Sequence, residues 1–88
     1  MRQIIFNTEF DLAVEKLGGY KLVDPALEAV IEALRLNPYA TYKYESGWTS
    51  FRYVITEAFG ITPALVVYLQ IVDSGNVELT YVEELEPY

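Results

Sequence analysis

An α+β fold, with two helices packed on one face of an antiparallel sheet, is what this 88-residue sequence predicts. Three observations carry the expectation. Apolar residues recur at helical spacing in the first half of the chain and at strand spacing in the second. Gly, Pro and Asn punctuate the boundaries between those segments. The AVILMFWYC set makes up 52% of the residues and 15% are aromatic, enough to bury one core. A single compact domain over residues 1–88 follows, with no repeat, linker or low-complexity stretch.

The elements come in the order β-α-α-β-β-β. Gln3-Ile4-Ile5-Phe6 is a short β-branched run and reads as the first strand. Thr8 with Asp11 three residues on is a variant capping box that opens a helix. Phe10, Ala13, Val14 and Leu17 then share one helical face, and Gly18-Gly19 supplies the stop. A helix of about ten residues is marginal alone in water, so it must pack. Asp24 as N-cap and Pro25 at the first helical position predict a second helix. Its apolar stripe is Ala26, Leu27, Val30, Ile31 and Leu34, with Glu28, Glu32 and Arg35 opposite. Asn37-Pro38 ends it, because a residue before proline is pushed out of the α region.

From Tyr39 onward the period becomes two. Tyr42, Tyr44 and the run Trp48 to Thr56 read as strand material around Ser46-Gly47, with Phe51, Tyr53 and Ile55 on one face and Arg52 and Val54 on the other. Phe59 to Pro63 is a connector. Ala64 to Val72 is almost continuously apolar and fits a central strand covered on both faces. Asp73-Ser74-Gly75-Asn76 has hairpin composition. Val77, Leu79 and Tyr81 then alternate with Glu78, Thr80 and Val82, completing an antiparallel meander of three strands.

The formal charge is −7, with no cysteine and no histidine. Disulfides, thiolate chemistry, the usual zinc sites and a histidine base are thereby excluded. All six basic residues lie before Tyr53, where seven acids leave a net −1. The remainder carries Glu57, Asp73, Glu78, Glu83, Glu84 and Glu86 with no Lys or Arg, a net −6. That asymmetry reads either as a solvated surface or as an interaction face. Its sign opposes general nucleic-acid binding. No 18-residue apolar run and no signal-peptide pattern is visible, so a soluble, cytoplasmic domain without a membrane association is expected.

Few motifs carry chemistry. Glu83-Glu84-x-Glu86 lacks the Gly and Asp spacing of a calcium loop. Gly18-Gly19 has no Gly-Lys-Ser/Thr signature after it, so no phosphate loop is implied. Glu28 and Glu32 stand four apart on a polar helix face, where nothing buries them enough to tune a catalytic pKa. No cofactor and no metal is expected. The aromatic set says more: Tyr39, Tyr42, Tyr44, Trp48, Phe51 and Tyr53 crowd into fifteen positions with Lys43 and Arg52. Three readings fit, namely rings packing a half-buried sheet, a protein interface, or a stacking platform for single-stranded nucleic acid.

The element order, together with Pro25 and the helix behind it, Arg52 entering a strand, Leu65-Val66-Val67-Tyr68 before an acidic turn, and Val77-x-Leu79-x-x-Val82 with Tyr88 six residues later, resembles the RelE/ParE superfamily of bacterial toxins of toxin–antitoxin systems. The resemblance spans the first strand to Tyr88. It implies a RelE/ParE-like fold held by an antitoxin partner, and an activity directed at messenger RNA on the ribosome or at DNA gyrase. In the ribonuclease branch it implies catalytic groups at Arg52, Tyr68 and Tyr88. The chain departs from that branch at Leu65, where arginine is common, and at Glu83-Glu84, where a basic pair is common.

A phosphate cleft with one arginine beside glutamates repels its substrate. The expected function is therefore a non-catalytic protein-interaction module, a divergent or degenerate toxin acting by protein contact. Its binding residues are expected at Tyr42, Tyr44, Trp48, Arg52 and Glu78, with Glu78 on an edge strand open to a partner's strand or to a second copy. The alternatives are an active translation-blocking ribonuclease using Arg52 and Tyr68, and an acidic nucleic-acid mimic.

Overall fold

Strand β1 (Ile4–Phe6) leads into helices α1 (Thr8–Leu17) and α2 (Tyr20–Leu36), a single 3-10 turn at Pro38–Ala40, and then β2 (Tyr42–Lys43), β3 (Phe51–Ile55), β4 (Leu65–Ile71) and β5 (Val77–Glu84). The structure is a computed structural model that describes residues 3–43, 51–72 and 75–85. Tyr44, Trp48 and Tyr88, three of the expected site residues, lie outside the described residues.

The strands form one sheet in the order β1-β5-β4-β3-β2. The meander β3-β4-β5 and the hairpin pair β2-β3 are antiparallel, as expected. The sheet as a whole is mixed rather than antiparallel, because β1 lies parallel to β5, with Ile4 opposite Val77 and Phe6 opposite Leu79. Val77 N–H donates to the Gln3 carbonyl at 2.9 Å, and the Asn76 side chain accepts from Gln3 N–H at 3.0 Å. This pairing corrects the expected edge. β5 is bonded on both sides, and Glu78 stands between Ile5 and Gln70 rather than on an open edge. The edges are the short strands β1 and β2.

Both helices cover one face of the sheet. Phe10, Ala13 and Val14 of α1 and Val23, Ala26, Leu27, Val30 and Leu34 of α2 pack on Leu65, Val67, Leu69 and Ile71 of β4 and on Val77, Leu79 and Val82 of β5. Full burial of each Leu or Val contributes on the order of 1.5–3 kcal/mol before entropy is counted. β4 is central, but only one of its faces lies under helices, so the expectation of cover on both faces holds for half of its residues.

Two helix starts differ from expectation. Asn7, not Thr8, caps α1, its side-chain oxygen accepting from Phe10 N–H at 2.9 Å. α2 begins at Tyr20, five residues before Pro25, with Gly19 at its N-cap and no side-chain cap bond. Gly18 and Gly19 both have positive φ, 124° and 96°, and together turn the chain from one helix directly into the next. Val23 is fully buried in the extra turn, which is what carries the helix back past Asp24. Pro25 has no N–H to donate to the carbonyl four residues back, so the helix passes this point one hydrogen bond short. Tyr20 in this turn donates its hydroxyl to Asp11 of α1. Burial, then that hydrogen bond and the charge of Asp11, with Asp24 adding, hold the phenol above its ordinary range.

Candidate functional site

The face of the sheet away from the helices carries a row of tyrosines. Alternation along β3 puts Phe51, Tyr53 and Ile55 on this open side, and Arg52 and Val54 on the helix side. In register, Tyr42 of β2 stands opposite Tyr53, Tyr53 opposite Tyr68, and Tyr68 opposite Tyr81. Four rings therefore cross four adjacent strands, with centroids 5.4, 6.4 and 6.2 Å apart. The Tyr42–Tyr53 pair is stacked and the other two are tilted. Direct cross-strand neighbours of this kind stabilise a sheet by roughly 0.2–1 kcal/mol each. At the rim of the row Tyr42 is 63% exposed and Tyr81 42%.

A bulge in β5 completes the row. The pairing steps from Tyr68 opposite Tyr81 to Leu69 opposite Leu79, so Thr80 is the extra residue. Simple alternation groups Tyr81 with Val77 and Leu79. The extra residue reverses the phase: Tyr81 turns to the open face and Val82 into the core, where it is almost fully buried.

Two carboxylates accompany the rings. Tyr68 donates its hydroxyl to Glu83 Oε1 at 2.8 Å. Asn7 Nδ2 donates to Glu78 Oε1 at 3.2 Å, so the residue that caps α1 also steadies a carboxylate at the end of the sheet. Phe51, Tyr68, Thr80, Tyr81 and Glu83 border a shallow depression of ≈ 380 Å³, with Arg52 and Leu69 in its strand floor. A second open groove, of ≈ 400 Å³, runs on the other side of the sheet between α2 (Pro25, Ala26, Ala29, Ala33) and Val54, Ile55 and Phe59. Among the described residues no three Asp or Glu side chains come together as metal ligands, and no helix is long and apolar enough to cross a membrane.

Arg52 does not join this face. It is only 7% exposed, and one of its terminal nitrogens donates to the backbone carbonyls of Tyr39 at 3.0 Å and Thr41 at 2.9 Å. Its guanidinium lies 5.4 Å from the Tyr39 ring centroid. The nitrogen Nε is buried with no hydrogen-bond partner among the described residues. The side chain thus ties the 3-10 turn and the entry to β2 onto β3. Tyr68 projects from the opposite face, so the pair expected to flank a scissile phosphate is separated by the sheet itself. Of the expected binding residues, Tyr42 and Glu78 are on the open face and Arg52 is not. Tyr53 and Tyr81 belong to the row but went unmarked as site residues. The period-two pattern held the signal for Tyr53, whereas Tyr81 depended on the bulge. Comparison with protein-family models, with curated proteins and with solved structures finds no match for this chain.

Proposed function

We propose that the chain is a non-catalytic protein-interaction module that holds a protein partner on the open face of its sheet. One observation carries the reading: four aligned tyrosines cover four strands on a face to which neither helix contributes. Large rings with polar tips order at low entropic cost and are favoured where one protein meets another. Among the described residues the face holds no cation to bind a phosphate, and its Tyr68–Glu83 pair is satisfied internally by a hydrogen bond, which favours contact over chemistry. A RelE/ParE-like fold is part of the proposal, supported by the β-α-α start and the β3-β4-β5 meander, to which the short strand β2 is an addition beyond the expected β-α-α-β-β-β order. In that reading the chain is a divergent toxin that acts by protein contact in the cytoplasm.

The test uses two rim positions, Tyr42→Thr and Tyr81→Thr, which keep strand propensity while removing the rings. Capture from the source cell is compared for the wild type, the double variant, and Glu28→Gln on the helix side. A partner retained by wild type and Glu28→Gln but lost by the tyrosine variant is the expected result. A partner indifferent to both rings refutes the assignment of this face.

A further inference from the structure

We infer that the occupant of the tyrosine row is a cationic helical segment, one that presents Arg or Lys at i, i+4 and i+8 toward the rings. The inference rests on the reading of the open face as a binding surface and supplies the chemistry of the partner. Charge complementarity is the first argument. Glu78 and Glu83 stand on this face, and both carboxylates are steadied by hydrogen bonds from Asn7 and Tyr68. The described cations are elsewhere: Lys16, Lys21 and Arg35 on the helices, Arg52 on the side that faces them, and Lys43 in register opposite Arg52. The chain from Tyr53 onward has six acids and no base. A second copy brings the same carboxylates and the same −7, so face-to-face self-association is opposed by like charge. Phosphate-bearing partners and anionic bilayers are repelled on the same ground.

Geometry is the second argument. A guanidinium or ammonium is drawn to the face of a tyrosine ring and gains further from a carboxylate beside it. The rings repeat at 5.4 to 6.4 Å. Side chains four apart on a helix repeat at about 5–6 Å. Alternate side chains of an extended segment repeat at about 6.6–6.8 Å and fall progressively out of step along the row. A helix laid across the strands along the row keeps successive cations near successive rings, with both carboxylates on β5, one on each side of the row where it ends at Tyr81.

The probe is a 16-residue Ala/Gln-rich helical peptide with arginine at i, i+4 and i+8. Its control has the same composition with the three arginines distributed around the helix. Each is titrated into the full chain, with binding constants from calorimetry and the footprint from backbone and tyrosine-ring NMR shifts. The patterned peptide is expected to shift Tyr53, Tyr68 and Tyr81. It is expected to bind at least about fivefold tighter than its control, and to weaken about fivefold in the Glu78→Gln/Glu83→Gln variant. These amide replacements retain a hydrogen-bond acceptor, and a thermal melt confirms that the variant is folded. Equal binding of the two peptides, a footprint on Glu9, Glu15, Glu28 and Glu32 of the helices, no binding at all, or a stable dimer that buries the row each overturns the inference. If the peptide fails while the Tyr42→Thr/Tyr81→Thr variant still loses its cellular partner, the partner chemistry is wrong and the face stands. If that variant keeps its partner, both fall.

Discussion

Replacing Arg52 with alanine is expected to destabilise the protein by about 2 kcal/mol, as a structural side chain does and a dispensable surface one does not. The magnitude follows from its contacts. Two charge-assisted bonds to the Tyr39 and Thr41 carbonyls are lost. Bonds of that type are worth roughly 1.5–3 kcal/mol each when their partners are stranded. Tyr39 is exposed and Thr41 only half-buried, so water reaches both carbonyls and about 1 kcal/mol apiece is the better figure. The cation–π contact with the Tyr39 ring and the buried stem together add about 1 kcal/mol. Working against these is the desolvation of a guanidinium whose Nε has no partner among the described residues, a cost that alanine relieves. Arg52→Met keeps the stem without the charge and is expected to cost less than about 1 kcal/mol. Urea unfolding followed by circular dichroism measures both. With a slope of about 1 kcal/mol per molar, the midpoint falls by about 2 M for alanine and by under about 1 M for methionine. An alanine variant within about 0.5 M of wild type refutes the reasoning and returns Arg52 to the list of candidate functional groups.

Asn7→Ala is expected to cost about 1–2 kcal/mol in the same assay, because one side chain both caps α1 and holds Glu78. Asn7→Asp retains the cap but sets a carboxylate against Glu78, so its deficit at pH 7 is expected to shrink at pH 3. Tyr20→Phe removes the bond to Asp11 and is expected to lose about 0.5–1 kcal/mol at neutral pH, the low end for a part-exposed hydrogen bond. The phenol is held above its unfolded value near 10, so that advantage is whole below about pH 10 and drains as pH rises beyond it. The stability gap between wild type and Tyr20→Phe is therefore expected to narrow from pH 9 to pH 11, and a gap that widens contradicts the assignment. Deleting Thr80, the extra residue of the bulge, leaves both Tyr81 and Val82 on their present faces. The variant is expected to fold with its tyrosine row intact by NMR, whereas deleting Val67 in β4, which has no bulge to absorb it, is expected to prevent folding.

How much of this was legible from residues alone depends on the range of the interaction involved. The stripe Ala26, Leu27, Val30, Leu34 is a local pattern, and it does face the core. Gly18 ends α1 because a positive φ there suits glycine, again a local matter. α2 starts at Tyr20 rather than at Asp24-Pro25 because burial of Val23 and the contacts of Tyr20 outweigh the local preference of Asp24-Pro25 for a helix start. Arg52 looked like a functional group since an arginine inside an aromatic strand has no local reason to be there. Its reason is the pair of carbonyls 11 and 13 residues earlier in the chain.

The acidic later half, the absence of histidine and cysteine, two amphipathic helices, the alternating strand segments and the continuous apolar run between them are all determined by the sequence on its own. Composition and spacing need no partner segment to be read. Which strands neighbour one another is another matter. Only the tertiary structure seats β5 between β1 and β4, taking Glu78 off an edge, and only it inserts the bulge at Thr80 that sends Tyr81 outward. The alignment of Tyr42, Tyr53, Tyr68 and Tyr81 is a statement about register between strands. Register is chosen by burying Val77, Leu79 and Val82 beneath the helices, an energy that exists only once the whole core has assembled.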